Sequence, residues 1–142
     1  MMVDSKLISY LKRGITHEMS AIQYYTTQSN LCKLWGLDDE SKIFEEEAKE
    51  EFEHASRLTN FLLTMGLTPS GSQLKPVSKT NNLKDVLAVD WQLEKEAVEL
   101  YCEASQYCQR IGNSQAFDLF QQLKKEEEHH LQSIEKWLIE LR

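Results

Sequence analysis

EEEAKEEFEH at residues 45–54 and QQLKKEEEHH at residues 121–130 both end on a glutamate followed three positions later by a histidine, Glu51 with His54 and Glu127 with His130. Working outward, each pair stands 33 residues after a further glutamate, Glu18 or Glu94, and the whole set repeats at an offset of 76 residues. The same offset carries Tyr25 onto Tyr101, Gly36 onto Gly112, Leu11 onto Leu87, Ala21 onto Ala97 and Ile22 onto Val98. Six metal-ligating side chains therefore sit on a framework that occurs twice.

Apolar residues recur at helical spacing along almost the whole chain, and the breaks fall at glycine or proline. The pattern predicts four long helices. The first starts near Asp4 or Ser5, whose side chains can cap free N–H groups, and stops before Gly36. The second runs from Asp38 or Asp39 to Met65, with Gly66 as its stop, and Leu58, Phe61, Leu62 and Met65 continue the inward stripe that holds Glu51 and His54. The third runs from Leu83 to Ile111 and ends at Gly112; the fourth starts at Asn113 or Ser114 and runs to the end of the chain.

The segment Leu67 to Asn82 contains Thr68-Pro69-Ser70-Gly71-Ser72 and Pro76, which favour turns and extended chain. A helix of about 28 residues is roughly 42 Å long, and the roughly sixteen residues of this segment reach about 53 Å when extended. That is enough to run back along the bundle, so the expected fold is all-α: a four-helix bundle with a long crossover between helices 2 and 3.

In an antiparallel hairpin, two residues share a depth when their midpoint falls at the turn. Glu18 and Glu51 have their midpoint at Leu34 and Trp35, just before Gly36, and Glu94 and Glu127 have theirs at Arg110 and Ile111, just before Gly112. The four glutamates can meet at one level, and the i,i+3 spacing turns each histidine to the same centre as its glutamate. Leu58, Phe61, Ile134 and Leu138 place that centre in the apolar stripe. Four buried carboxylates would repel and lose hydration at a cost of several kcal/mol each, and two divalent cations cancel their charge. Hard oxygen donors with two imidazoles and no thiolate fit iron, with manganese as the second fit, rather than structural zinc.

At 142 residues the chain is read as one domain, 1–142. A net charge of −7 offers no basic stripe for nucleic acid. No stretch approaches the roughly 20 apolar residues of a membrane span, and Met-Met-Val-Asp-Ser-Lys lacks the apolar core of a signal peptide, so the expected location is the cytoplasm. Cys32, Cys102 and Cys108 contain no C-x-x-C pair and read as reduced core thiols.

At this point the chain resembles the bacterioferritins within the ferritin-like di-iron carboxylate proteins, whose layout is two single glutamates plus two Glu-x-x-His pairs. Ser9-Tyr10-Leu11, Trp35-Gly36-Leu37 and Gly66-Leu67 extend the likeness over the whole chain. The resemblance implies that Glu51 and Glu127 bridge two Fe ions per chain, that Glu18 with His54 and Glu94 with His130 complete the two positions, and that Tyr25 is the redox-active tyrosine beside them. It implies a ferroxidase that oxidises Fe(II) with O2 or H2O2, for iron storage and detoxification in a homo-oligomeric hollow cage built from dimers. Glu46 and Glu50 fall where such proteins guide iron. Glu47 and Asp90 are expected to accept from the histidine N–H groups.

Two departures qualify that picture. Haem-bearing members use a methionine two residues before the histidine of the first Glu-x-x-His pair, where this chain has Phe52; phenylalanine has no donor for haem iron, which disfavours haem and leaves Met19 as the remaining candidate donor. The chain ends at Arg142, twelve residues past His130, short of the fifth helix of longer members, so a smaller shell or an isolated dimer also fits. The rival readings are a non-storage di-iron or di-manganese oxidase or peroxidase, and a structural subunit of a mixed cage with a haem-bearing paralogous subunit. His17 and His129 read as surface histidines, Tyr101 as core packing with one hydrogen bond, and Trp35, Trp91 and Trp137 as packing anchors.

Overall fold

The protein is described by a computed structural model covering residues 4–142. Helix α1 spans Ser5–Leu34, α2 Asp38–Thr64, α3 Leu83–Arg110 and α4 Ser114–Glu140, and no strand occurs among the described residues. Each boundary lies within about two residues of the position the caps and glycines predict.

The helix starts follow capping chemistry. The Asp4 carboxylate accepts from the backbone N–H groups of Lys6 and Leu7, and from the Tyr107 hydroxyl at 2.7 Å. Asn82 and Asn113 cap α3 and α4 by accepting from the N–H groups of Asp85 and Ala116. Helix α2 has no side-chain cap, but Asp38, Asp39 and Glu40 fill its first turn, where negative charge meets the positive end of the helix dipole. At the equivalent stops Gly36 and Gly112, φ is 77° and 74°, a conformation that a side chain would strain. The next residue closes each turn, Leu37 N–H onto the Cys32 carbonyl and Asn113 N–H onto the Cys108 carbonyl.

Short turns make α1 antiparallel to α2 and α3 antiparallel to α4. Polar pairs across α1 and α3 fix the rest: Asp4 meets Tyr107, Glu18 meets Tyr101, Tyr25 meets Glu94 and Gln28 meets Asp90. One number rises as the other falls, so α1 and α3 are antiparallel, and α2 and α3 consequently run parallel. The connection 65–82 must therefore return along the bundle, and a hydrogen bond from Thr16 Oγ1 to Ser72 Oγ at 3.1 Å holds it against the middle of α1. The crossover bundle is the fold observed.

The core is divided. Leu7, Leu11, Ile15, Leu58, Leu62, Tyr101, Phe120 and Leu123 form one apolar cluster, and Ala21, Tyr25, Phe44, Val86, Leu87, Leu93 and Ile134 form another. Between them the six charged side chains of the repeated motif make a polar layer that crosses the bundle. All three cysteines are free thiols.

Candidate metal centre

Each helix delivers its ligand at the depth that the hairpin midpoints require: Glu18 from α1, Glu51 and His54 from α2, Glu94 from α3, Glu127 and His130 from α4. Glu18, Glu51, Glu94 and Glu127 are fully buried, and the two histidines nearly so. His54 Nδ1 lies 3.3 Å from Glu18 Oε2, 3.4 Å from Glu51 Oε1 and 3.0 Å from Glu127 Oε1. His130 Nδ1 lies 3.4 Å from Glu51 Oε1, 3.3 Å from Glu127 Oε1 and 3.7 Å from Glu94 Oε2. The imidazole rings stand 6.0 Å apart and nearly parallel. Glu51 and Glu127 thus each address both histidines, whereas Glu18 and Glu94 each address one. Candidate ligand atoms fall into three groups: Glu18, Glu51, His54 and Glu127, and Glu47, Glu51, Glu94 and His130, which share Glu51, and a third of Glu53, His54 and Glu126, whose two carboxylates are exposed.

The donor set fits a pair of divalent ions. Both oxygens of Glu51 and of Glu127, Oε2 of Glu18 and of Glu94, and Nδ1 of both histidines are buried without a hydrogen-bond partner. Buried polar atoms are normally paired, so this many orphans converging on one spot marks a place for cations that accept lone pairs from all of them.

The electrostatics carry the same signature. Burial, reinforced by the neighbouring carboxylates, pushes the Glu51 and Glu127 carboxyls well above the usual carboxylate range. Glu94 ends below that range, because the effect of burial is outweighed by contacts with His130, Glu127 and Tyr25. Burial opposes a charge on His54 and His130, yet the surrounding carboxylates raise both imidazoles. Without metal the centre neutralises itself by holding protons, which cations would displace.

Further residues surround the six. Tyr25 donates to Glu94 Oε1 at 2.5 Å, and Tyr101 donates to Glu18 Oε1 at 2.7 Å. The second phenol therefore repeats the first in contact as well as in sequence. Glu47 does not serve the remote N–H of a histidine: its Oε2 lies 3.4 Å from His130 Nδ1, on the ligand side, and burial raises its carboxyl to about 7. Asp90 is taken up by Gln28, whose side-chain amide donates to it at 2.6 Å. The remote nitrogens instead face Glu126, 3.6 Å from His54 Nε2, and Glu50, in close contact with His130 Nε2. Glu50 and Glu126 are themselves related by the 76-residue offset, a signal that was available in the sequence. Glu46 is exposed and pairs with Lys49 at 3.1 Å.

The raised carboxyls set a pH dependence. A carboxyl whose folded pKa lies above its unfolded one contributes stability that is fully present below the unfolded value and is lost as pH rises through the folded value. Glu47, Glu51, Glu127 and Asp90 are all raised, chiefly by burial. The metal-free protein is expected to melt at progressively lower temperature from pH 5 to pH 8, a window that brackets Glu47, and a divalent ion is expected to remove the slope. Calorimetric melting with and without Co(II) checks this; a melting temperature that rises with pH in the metal-free protein contradicts it.

Known proteins share the fold and much of the sequence. Residues 8–142 match the Ferritin-like domain family. Among curated proteins, the chain is 30% identical over 132 residues to a bacterioferritin of Rhodobacter capsulatus, covering 93% of this chain and 82% of that one. It is 29% identical over 135 residues to a bacterioferritin of Brucella melitensis, covering 95% and 84%. A solved structure of Rhodobacter capsulatus bacterioferritin, described as having a metal-free dinuclear site and haem iron, superposes with a TM-score of 0.92 at 30% identity over 97% of this chain and 86% of that one.

Proposed function

The chain belongs to the ferritin-like family, and from that premise we propose that it is a bacterioferritin-like ferroxidase that oxidises Fe(II) to Fe(III) and stores the product. The observation that carries the reading is the set of unpartnered lone pairs on Glu18, Glu51, His54, Glu94, Glu127 and His130, gathered within reach of two ions. Iron is the substrate, and two Fe(II) supply the two electrons that turn O2 and two protons into H2O2, or one H2O2 and two protons into two waters.

In this reading Glu51 and Glu127 span the two positions, Glu18 with His54 completes one, and Glu94 with His130 completes the other. The two apolar clusters exclude bulk water on either side of the polar layer. Tyr25 is the phenol whose hydrogen bond to Glu94 lets a proton leave for the carboxylate when an electron is drawn from the ring. Glu50, half exposed beside His130, guides cations inward.

Phe52 is exposed on α2 and carries no donor for iron, so the reading is a haem-free protein. Assembly into a dimer-built cage in the cytoplasm belongs to the same proposal. No helix among the described residues is long and apolar enough to cross a membrane.

The test is anaerobic Fe(II) titration of metal-free protein, followed by admission of air with O2 uptake recorded. Two irons per chain, O2 consumed and many further irons kept in solution are expected. Two irons oxidised once with nothing further retained would make the protein a non-storage oxidase, and no paired binding would remove the proposal.

A further inference from the structure

We propose that Arg57 is a positioning residue that makes the two halves of the centre unequal, holding the Glu18–His54 half as a static metal position and leaving the Glu94–His130 half as the exchanging one. This rests on the two-metal reading above. The argument starts from the places where the internal repeat breaks. The 76-residue offset carries Glu50 onto Glu126 and His54 onto His130, so each histidine meets, at its remote Nε2, an equivalent glutamate of the opposite helix. The same offset carries Arg57 onto Ser133 and Glu53 onto His129. One half of the centre has a cation behind its glutamate, and the other has a short hydroxyl.

The cation is engaged. Arg57 Nη2 donates to Glu126 Oε2 at 2.8 Å and to Glu53 Oε2 at 3.0 Å, and its Nε lies 3.0 Å from Glu53 Oε1. A planar guanidinium held by two carboxylates orients both of them. Glu126 is thereby kept with its other oxygen toward His54, where its charge favours the proton on Nε2 and leaves the Nδ1 lone pair for metal. In the other half, Glu50 is 53% exposed, and among the described residues His130 is its sole ion-pair partner. A surface recess lined by Glu50, Lys125, Glu126, Glu128 and His129 reaches His130 and does not reach His54. Both imidazoles are buried; the glutamate beside His54 is anchored by Arg57, whereas the glutamate in contact with His130 has, among the described residues, no anchor of its own and stands at the opening.

The test is anaerobic calorimetric titration of the metal-free protein with Co(II), for wild type, Arg57→Gln, Arg57→Lys, His54→Ala and His130→Ala. Wild type is expected to bind two ions in separable steps. Arg57→Gln should weaken one step about tenfold or more and leave the other within about twofold. The weakened step should be the one that His54→Ala removes, and Arg57→Lys should recover part of the loss. Two equal steps in wild type, equal weakening of both steps, no weakening, or weakening of the His130→Ala step would each overturn the clamp.

A wild type that binds no pair of ions would instead overturn the two-metal reading itself. Ser133→Arg supplies a check that does not depend on Arg57→Gln folding. An arginine there should slow release of the exchanging Co(II) to a chelator by about tenfold, and an unchanged rate would sink the proposal.

Discussion

Replacing Glu51 with glutamine is expected to raise the melting temperature of the metal-free protein by about 5 °C and to lower its affinity for a pair of divalent ions by at least about 100-fold. The side chain is fully buried and both of its oxygens lack a hydrogen-bond partner. Its carboxyl is pushed well up by burial and by Glu18, Glu127 and Glu94, so in the absence of metal it is a liability to the fold. Glutamine keeps the shape, is neutral without having to hold a proton, and adds N–H groups that the neighbouring carboxylates can accept. Satisfying one buried group in place of leaving it orphaned changes stability by about 2 kcal/mol, and near 3 °C per kcal/mol is typical at this chain length.

The metal affinity moves the opposite way, because a neutral amide is a poor substitute for a carboxylate that both histidines face. Losing a supporting contact alone costs about 10–100-fold, and losing a shared ligand costs more. Calorimetric melting and Co(II) titration on the same sample read both quantities. A fall in melting temperature would mean that Glu51 is a structural hydrogen-bonding residue, and the case for a cation-built layer would weaken with it.

Much of this site is legible before any coordinate, and the reason is geometric. Depth in an antiparallel hairpin is counted from its turn, and facing is counted at 3.6 residues per turn. Glu18 against Glu51 and Glu94 against Glu127 therefore meet by arithmetic, with His54 and His130 beside them by i,i+3 spacing. The crossover is legible from Pro69, Gly71 and Pro76 and from the length that their segment must span. Contacts between side chains of different helices at the layer's edge are not set by these counts. Asp90 sits one turn before Glu94 and has the chemistry to support a histidine, but Gln28 on α1 reaches it first. Glu47 sits one turn before Glu51 and points to the ligand side of His130.

Tyr101 reads in the sequence as core packing with one hydrogen bond, and it is buried with its hydroxyl donating to Glu18, but the sequence does not name that partner. Its bond to Glu18 depends on the crossing of α1 and α3, which no spacing within α3 encodes. The apolar clusters explain why such polar strain is tolerated. Leu58, Leu62, Phe120 and Leu123 on one side, and Phe44, Val86 and Leu87 on the other, are almost wholly buried. Each contributes roughly 1.5–3 kcal/mol by leaving water, against the several kcal/mol that an unneutralised carboxylate costs. The layer can thus remain poorly satisfied without metal while the bundle stays folded.

His54→Ala is expected to slow Fe(II) oxidation on the order of 100-fold while leaving the helical content and the oligomeric state of the wild type, and His130→Ala is expected to do the same. The informative quantity is the double variant. If the two histidines served independent single-iron sites, the losses would multiply, giving on the order of 10,000-fold. In the proposed reaction, reduction of O2 by two electrons at once needs both irons together, so losing either position would already forfeit the paired event, and the second substitution would have little left to remove. Residues that act as one unit lose about as much singly as together. Glu51 Oε1 lies 3.4 Å from Nδ1 of both histidines and Glu127 Oε1 within 3.3 Å of both, which is the physical basis for treating the pair as one unit. Stopped-flow oxidation rates for the two single variants and the double variant decide the matter: a double variant about as slow as either single supports one coupled centre, and multiplicative losses would replace it with two separate iron sites.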